Sequence, residues 1–150
     1  MVLEMVMCLA INVYHESRGE PTFGQISVAH TVMNRVESQH YPDNACDVVH
    51  QGPIEESWKT KQFKSLAESE RIYFPVKYKC QFSWYCDGEL DIIADEESLL
   101  RAVEVAQYVY SGKSKDPTNG ATHYHATYVK PYWANHLEHQ ITIGRHMFYK

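Results

Sequence analysis

Residues Val2 to Tyr14 form an apolar run broken only by Glu4 and Asn12, and this run limits the fold more than any other feature. Apolar positions nearly all round suit a helix buried in a core. The run is too short and too interrupted for a membrane span. It lacks a cationic start and a small-residue cleavage site, so it does not read as a signal peptide. Gly19 and Pro21 interrupt it. Thr22-Phe23-Gly24-Gln25 then offers a capping box, with Thr22 as N-cap and Gln25 reaching back. Ile26, Ala29, Val32, Met33 and Val36 follow at helical spacing and predict a second helix to about Glu37. At 150 residues a chain can bury roughly 70% of its unfolded surface. It needs no disulfide or metal merely to hold together.

Tyr41-Pro42-Asp43-Asn44 is a turn, and Asn44 can cap a short helix ending near Gln51. Residues 52–79 are polar and mixed in charge, with no clear period, and read as an insertion into a single domain spanning 1–150. Gln81 to Tyr85 is rich in aromatics and predicts a strand ending at Asp87-Gly88. Asp95, Glu96 and Glu97 crowd the first turn of a further helix, where the helix dipole favours negative charge. Leu99, Leu100, Val103, Ala106 and Val109 would be its apolar stripe, with Gly112 just past its end. After the Asp116–Gly120 turn come two strand-like runs, Ala121–Val129 and Gln140–Tyr149. The expected class is α+β, mainly helical with a small antiparallel sheet.

Fourteen basic and nineteen acidic residues leave a net charge of −5, which argues against a nucleic-acid binder. The charge is uneven. Residues 87–112 carry seven acidic side chains and one basic, whereas 113–150 carry five basic and two acidic, with five of the nine His. Four Cys, at 8, 46, 80 and 86, contain no C-x-x-C pair, so a zinc ribbon or thioredoxin-type site is not indicated. Cys8, within the apolar run, is expected as a buried thiol. One disulfide is expected among Cys46, Cys80 and Cys86. Cys80 and Cys86 would stand roughly 20 Å apart on an extended strand, so pairing them needs a turn at Ser83–Tyr85. A bridge from Cys46 to either is equally allowed.

Chemistry concentrates at His15-Glu16-Ser17-Arg18-Gly19-Glu20. A zincin would need His at position 19, where Gly stands. What remains is Glu16 at the end of an apolar helix. Apolar surroundings disfavour its charged form and raise its pKa, which suits a general acid near neutral pH. Ser17 is placed to hydrogen-bond that carboxyl, and Arg18 to pair with Glu20 or another carboxylate. Glu20, Asp87 and Asp91 are the candidates for a second catalytic carboxylate, and Glu20, beyond the glycine break, reads as structural.

The stretch Ala10–Pro21 resembles the opening E-A-R-G-E motif of the spore-cortex-lytic, SleB-like family of cell-wall hydrolases, which also includes bacteriophage endolysins. The match continues in order through Gly24-Gln25, Ala29–Val36, Tyr41-Pro42 and Val48-Val49. Cys80-Gln81-Phe82-Ser83-Trp84 is similar to the family's Q-F-S strand, and Thr122-His123-Tyr124-His125 to its Y-H strand. Pro131-Tyr132-Trp133 matches its P-x-W turn, and Ile143–Tyr149 its closing I-G-x-H-x-F-Y. Ser17 replaces the usual Ala; Glu-Ser marks the catalytic acid in goose-type lysozymes and soluble lytic transglycosylases.

The resemblance implies a lysozyme-like fold with Glu16 as the catalytic residue. It implies substrate contacts at Ser17, Gln81, Phe82, Ser83, Tyr124, His125 and His146, and no metal or cofactor. The implied reaction cleaves the β-1,4 bond between N-acetylmuramic acid and N-acetylglucosamine, as a lytic transglycosylase with one acid/base. The expected partner is the peptidoglycan glycan strand, met by a monomer with no stable membrane insertion, in the periplasm or outside the cell. The expected setting is a phage endolysin, held in the cytoplasm until lysis, or a bacterial cell-wall lytic enzyme. Two other readings stand beside it. His123, His125 and His146 would suit a zinc-dependent amidase if they converge, and a non-catalytic wall-binding module would not need Glu16.

Overall fold

The computed structural model of the chain describes residues 2–150. It divides into two compact units, one taking in the chain up to Val49 and again Ile93–Lys150, the other His50–Ile92.

In the first unit, α1 (Val2–Ser17) packs against α2 (Thr22–Glu37), α3 (Ala45–Val49) and α5 (Glu96–Tyr110). Leu9, Ala10, Val13 and Tyr14 of α1 are fully buried, with Val28, Ala29 and Val32 of α2 and Val48 and Val49 of α3. The apolar run is thus the central helix of a small helical core, and burial of each such leucine or valine stabilises the fold by about 1.5–3 kcal/mol. Cys8 is not a thiol: it is joined to Cys46, tying α1 to α3 with 5.1 Å between Cα atoms. The helix packing brings two cysteines 38 residues apart within bridging reach, which no local spacing reveals.

Pro21, not Thr22, is the N-cap of α2, and no side chain caps it. Gln25 instead donates from Nε2 to the Glu20 carbonyl oxygen at 3.1 Å. Proline holds the extended backbone of a cap without a side-chain bond, and this moves the helix start one residue back. Asn44 caps α3 as expected, its Oδ1 accepting from the Asp47 N–H at 2.9 Å. Asp95 caps α5 by accepting from the Ser98 N–H, and Gly112, at φ +80°, follows its end. The buried stripe of α5 is Ala102, Val105, Ala106 and Val109, while Leu100 is 65% exposed. Two alanines let α5 lie close on α1, and the larger Leu100 is turned out.

The run Gln140–Tyr149 is a hairpin rather than one strand. It contains β4 (His139–Ile143) and β5 (His146–Tyr149), and β3 (His123–Ala126) joins them in an antiparallel sheet ordered β3-β5-β4. Gly144 takes the positive φ of the turn, +56°. Strand alternation sorts the sheet into two faces. Tyr124, Ala126, His146 and Phe148 share one face by their pairing; His123, His125, Met147 and Tyr149 share the other.

The second unit pairs β1 (Ile54–Glu56) with β2 (Tyr73–Pro75), flanking the short α4 (Trp58–Lys61). Arg71 organises it. Its guanidinium donates to Glu56 at 2.8 Å and to the carbonyls of Phe63, Lys64 and Leu66. A partly exposed cation with several acceptors serves where the polar segment has few apolar side chains to pack. The strand expected at Gln81–Tyr85 is instead a 3₁₀ turn, Ser83–Cys86. The Cys80–Cys86 disulfide brings those Cα atoms to 6.1 Å, which an extended strand cannot do.

Candidate active site

Glu16 sits in the last turn of α1, half-buried, and lines a cavity of about 190 Å³ with Ser17, Glu20, Ala126, Tyr128, Arg145 and His146. The helix ends there because Arg18 still bonds back to the Tyr14 carbonyl and Glu20 only to that of Ser17. The carboxyl is left at the rim of the helical core, facing the Tyr124 side of the sheet.

The Tyr124 hydroxyl donates to Oε1 of Glu16, and its ring rests against Phe148 and His146. Arg35 of α2 is buried, and its Nε donates to the Thr122 carbonyl at 2.7 Å. Burial pushes the Glu16 carboxyl above its ordinary value, while the Tyr124 hydrogen bond and the Arg35 charge pull it back. Burial and the adjacent Glu16 push the Tyr124 hydroxyl well above the ordinary phenol, so it acts as a donor. The arrangement favours a carboxyl that holds a proton yet keeps partners for its anion. Such a group can both give and take a proton.

Glu20 is committed elsewhere. Its Oε1 accepts from the Arg145 backbone N–H at 2.7 Å, and its Oε2 meets Arg145 Nε at 3.3 Å, with His146 Nδ1 3.6 Å from Oε1. Gly144 lies against it: a Cβ there would stand 3.0 Å from Glu20 Oε1. The carboxylate closes the β4–β5 turn onto the start of α2 and is structural. Asp87 and Asp91 belong to the second unit, where Asp87 accepts from the Glu89 N–H.

Glu16, Ser17 and His146 come together at the cavity, with Tyr124 bonded to Glu16. Ser17 does not serve the Glu16 carboxyl: its Oγ donates to the Val13 carbonyl at 2.9 Å, as a helical serine often does. Burial lowers the His146 pKa, and the Arg145 charge adds to this while Glu20 opposes it. His125 points to the other face, its ring nitrogens 2.8 Å from the Ala126 carbonyl and 2.9 Å from the Tyr149 hydroxyl. Gln81, Phe82 and Ser83 lie in the second unit, Phe82 buried and the other two exposed. Exposed Gln81 and Ser83 alternate with buried Phe82 and Trp84, although the backbone enters a 3₁₀ turn at Ser83 instead of a strand.

The three histidines of the zinc reading do not converge. His123 and His125 share one face of the sheet and His146 lies on the other. Among the described residues no group of three His, Cys, Asp or Glu is placed to hold a metal ion. His30 is buried on α2 with Nε2 2.8 Å from the Ser114 hydroxyl.

Arg35 is the charged neighbour of Glu16 that pattern reading passed over. Its signal was available, since a cation three positions past Val32 falls on the apolar stripe of α2, and a buried Arg demands an anionic partner or carbonyls.

A family model described as Cell Wall Hydrolase matches residues 19–149, beginning three residues past Glu16. The spore cortex-lytic enzyme of Halalkalibacterium halodurans is 28% identical over 119 residues, covering 79% of this chain and 26% of that enzyme. The spore cortex-lytic enzyme of Bacillus cereus is 43% identical over 44 residues, 29% of this chain and 17% of that enzyme. The chain thus spans about a quarter or less of the length of these curated relatives. Two solved structures share its fold. The catalytic domain of the Bacillus cereus SleB protein superposes with a TM-score of 0.61 at 24% identity, covering 99% of this chain and 91% of that one. The catalytic domain of the germination-specific lytic transglycosylase SleB from Bacillus anthracis gives the same TM-score and identity, over 97% and 93%. The α+β, lysozyme-like architecture expected from the sequence is the one found. Matched by the family model over most of its length, the chain belongs to the cell wall hydrolase family.

Proposed function

We propose that this domain cleaves the β-1,4 bond between N-acetylmuramic acid and N-acetylglucosamine in peptidoglycan, as a lytic transglycosylase with Glu16 as its single acid/base. The observation that carries the reading is the Glu16 carboxyl, raised in pKa by burial and open to a cavity whose other carboxylate, Glu20, is fully engaged. Protonated Glu16 gives its proton to the glycosidic oxygen as the bond to the muramic C1 breaks and the sugar gains oxocarbenium character. The resulting carboxylate takes the proton from the muramic 6-hydroxyl as that oxygen bonds to C1, closing the 1,6-anhydro ring and restoring the acid. Tyr124, by donating to the carboxylate, stabilises it between the two proton transfers.

Ser17 and His146 line the place where the sugar would lie. Substrate contact at Gln81, Phe82 and Ser83 is part of the same proposal, and a Gln81→Ala variant with raised KM and intact melting temperature is the expected sign of such contact. We also propose that one copy of the domain suffices, so that it elutes as a monomer.

Mass spectrometry of a peptidoglycan digest tests the reaction. An anhydromuramic end supports the transglycosylase, a reducing muramic end replaces it with a muramidase, and a released stem peptide overturns glycan cleavage altogether. Running the digest on spore cortex and on vegetative sacculi separates a cortex enzyme from one suited to phage lysis.

A further inference from the structure

We infer that the sheet face turned away from Glu16 holds a second binding site, for a carboxylate-bearing arm of the wall polymer, the peptide stem. The basic, histidine-rich stretch 113–150 gives Tyr124 and His146 to the Glu16 side of the sheet, and on the opposite face it builds a cavity of its own. That cavity, of about 230 Å³, is lined entirely by residues between 125 and 149. His125, Met147 and Tyr149 of the outer face form its sheet wall, and Trp133 packs edge-on against both His125 and Tyr149. The His125 ring stacks on Tyr149 at 5.2 Å and is fixed by contacts at both nitrogens. This wall is therefore preorganised rather than pliable.

The remaining lining supplies recognition. Thr127, Lys130 and Asn135 bring a hydroxyl, an ammonium and an amide to one small space. None of these side chains has a hydrogen-bond or ion-pair partner among the described residues, and no Asp or Glu lines the cavity. In a chain of net charge −5, a cavity with a cation, two neutral hydrogen-bonding groups and no carboxylate is suited to an anion. Its apolar side, Met147 and the Tyr149 ring, suits the aliphatic part of a short peptide rather than a bare inorganic ion.

The placement links the two cavities. Ala126 and Tyr128 line the Glu16 cavity, whereas Thr127 and Lys130 line the outer one. One strand end and its loop form a wall common to both. A polymer bearing peptide stems along its glycan can lay sugar on one side of that wall and a stem on the other. This inference rests on the wall polymer being the ligand, and not on Glu16 being the acid.

The test is binding of N-acetylmuramyl-L-alanyl-D-isoglutamine, which has no glycosidic linkage to cut, to the unaltered chain, followed by backbone amide shifts in NMR. Shifts at Thr127, Lys130, Asn135 and Met147 are expected, with affinity at least fivefold weaker in Lys130→Gln and for the ligand amidated at its one carboxylate. Free D-alanyl-D-alanine should reproduce the same shifts at higher concentration, because the site reads the peptide end. Shifts confined to Ala126, Tyr128 and His146, or affinity unchanged in Lys130→Gln, would overturn the proposal. A lytic Glu16→Gln variant would sink the acid assignment and leave this binding result standing.

Discussion

The Tyr124 hydroxyl donates to Oε1 of Glu16 across 108 residues of sequence, joining the end of the first helix to the first strand of the C-terminal sheet. The bond favours the charged form of the carboxyl, as does Arg35, while burial opposes both.

Removing that donor should move the pH profile in a defined direction. In Tyr124→Phe the carboxylate loses a hydrogen bond, so the Glu16 pKa rises further above its ordinary value. Activity that depends on protonated Glu16 is then held to higher pH, and the alkaline limb of kcat/KM against pH shifts upward. At its maximum, kcat/KM should fall by about tenfold to a hundredfold, since a charge-assisted hydrogen bond is worth about 1.5–3 kcal/mol. An alkaline limb that stays in place would show that Glu16 is not the titrating group.

Glu16→Gln should trade activity for stability. Turnover should drop by about 10²–10⁴-fold, the usual share of a positioned acid or base. The folded-state pKa of Glu16 is raised above 4.5, so folding favours its neutral form. Below pH 4.5 the carboxyl is neutral in both states and costs nothing. As pH rises from there through the folded pKa, wild-type stability is progressively lost. The glutamine variant therefore melts higher than wild type at pH 7 and level with it near pH 4, in thermal scans at the two pH values.

Much of this was legible in sequence, and the failures share a cause. The buried run at α1, the Asn44 cap and the Gly112 stop depend on neighbours within a few residues, so local pattern captured them. The Cys8–Cys46 bridge and the partnership of Arg35 with Glu16 depend on helices meeting in space. No periodicity carries that information. Gln81–Tyr85 misled because aromatic content reads as strand, while the Cys80–Cys86 closure demands a turn. On the sheet, alternation separated Tyr124 from His125 correctly, but only the β3–β5 register showed that His146 joins Tyr124 and leaves His123 and His125 on the opposite face.

The Glu20 latch should be separable from catalysis. Glu20→Ala leaves the Arg145 backbone N–H without its acceptor, at a cost of about 1–3 kcal/mol. Gly144→Ala meets the same carboxylate, because its Cβ would lie 3.0 Å from Oε1 at a backbone φ of +56°. That residue should cost about 1–2 kcal/mol from the left-handed backbone alone. The two losses share a partner, so the double variant should lose less than their sum in urea titrations. Strict additivity would mean that Glu20 does not hold the turn.

The two disulfides should contribute unequally, because they close loops of different length. Cys8–Cys46 spans 38 residues and Cys80–Cys86 spans six. Chain entropy assigns the longer closure about 4 kcal/mol and the shorter about 2 kcal/mol. The longer bridge also fastens α1, the helix that carries Glu16, to α3, so its removal loosens the first unit around the Glu16 carboxyl. Replacing Cys8 and Cys46 together with serine should lower the urea midpoint by roughly twice the shift seen for the Cys80 and Cys86 pair. The Cys8/Cys46 variant should also lose activity at temperatures where the other remains folded. Equal midpoints for the two variants would mean that the first unit holds α1 and α3 together by packing alone.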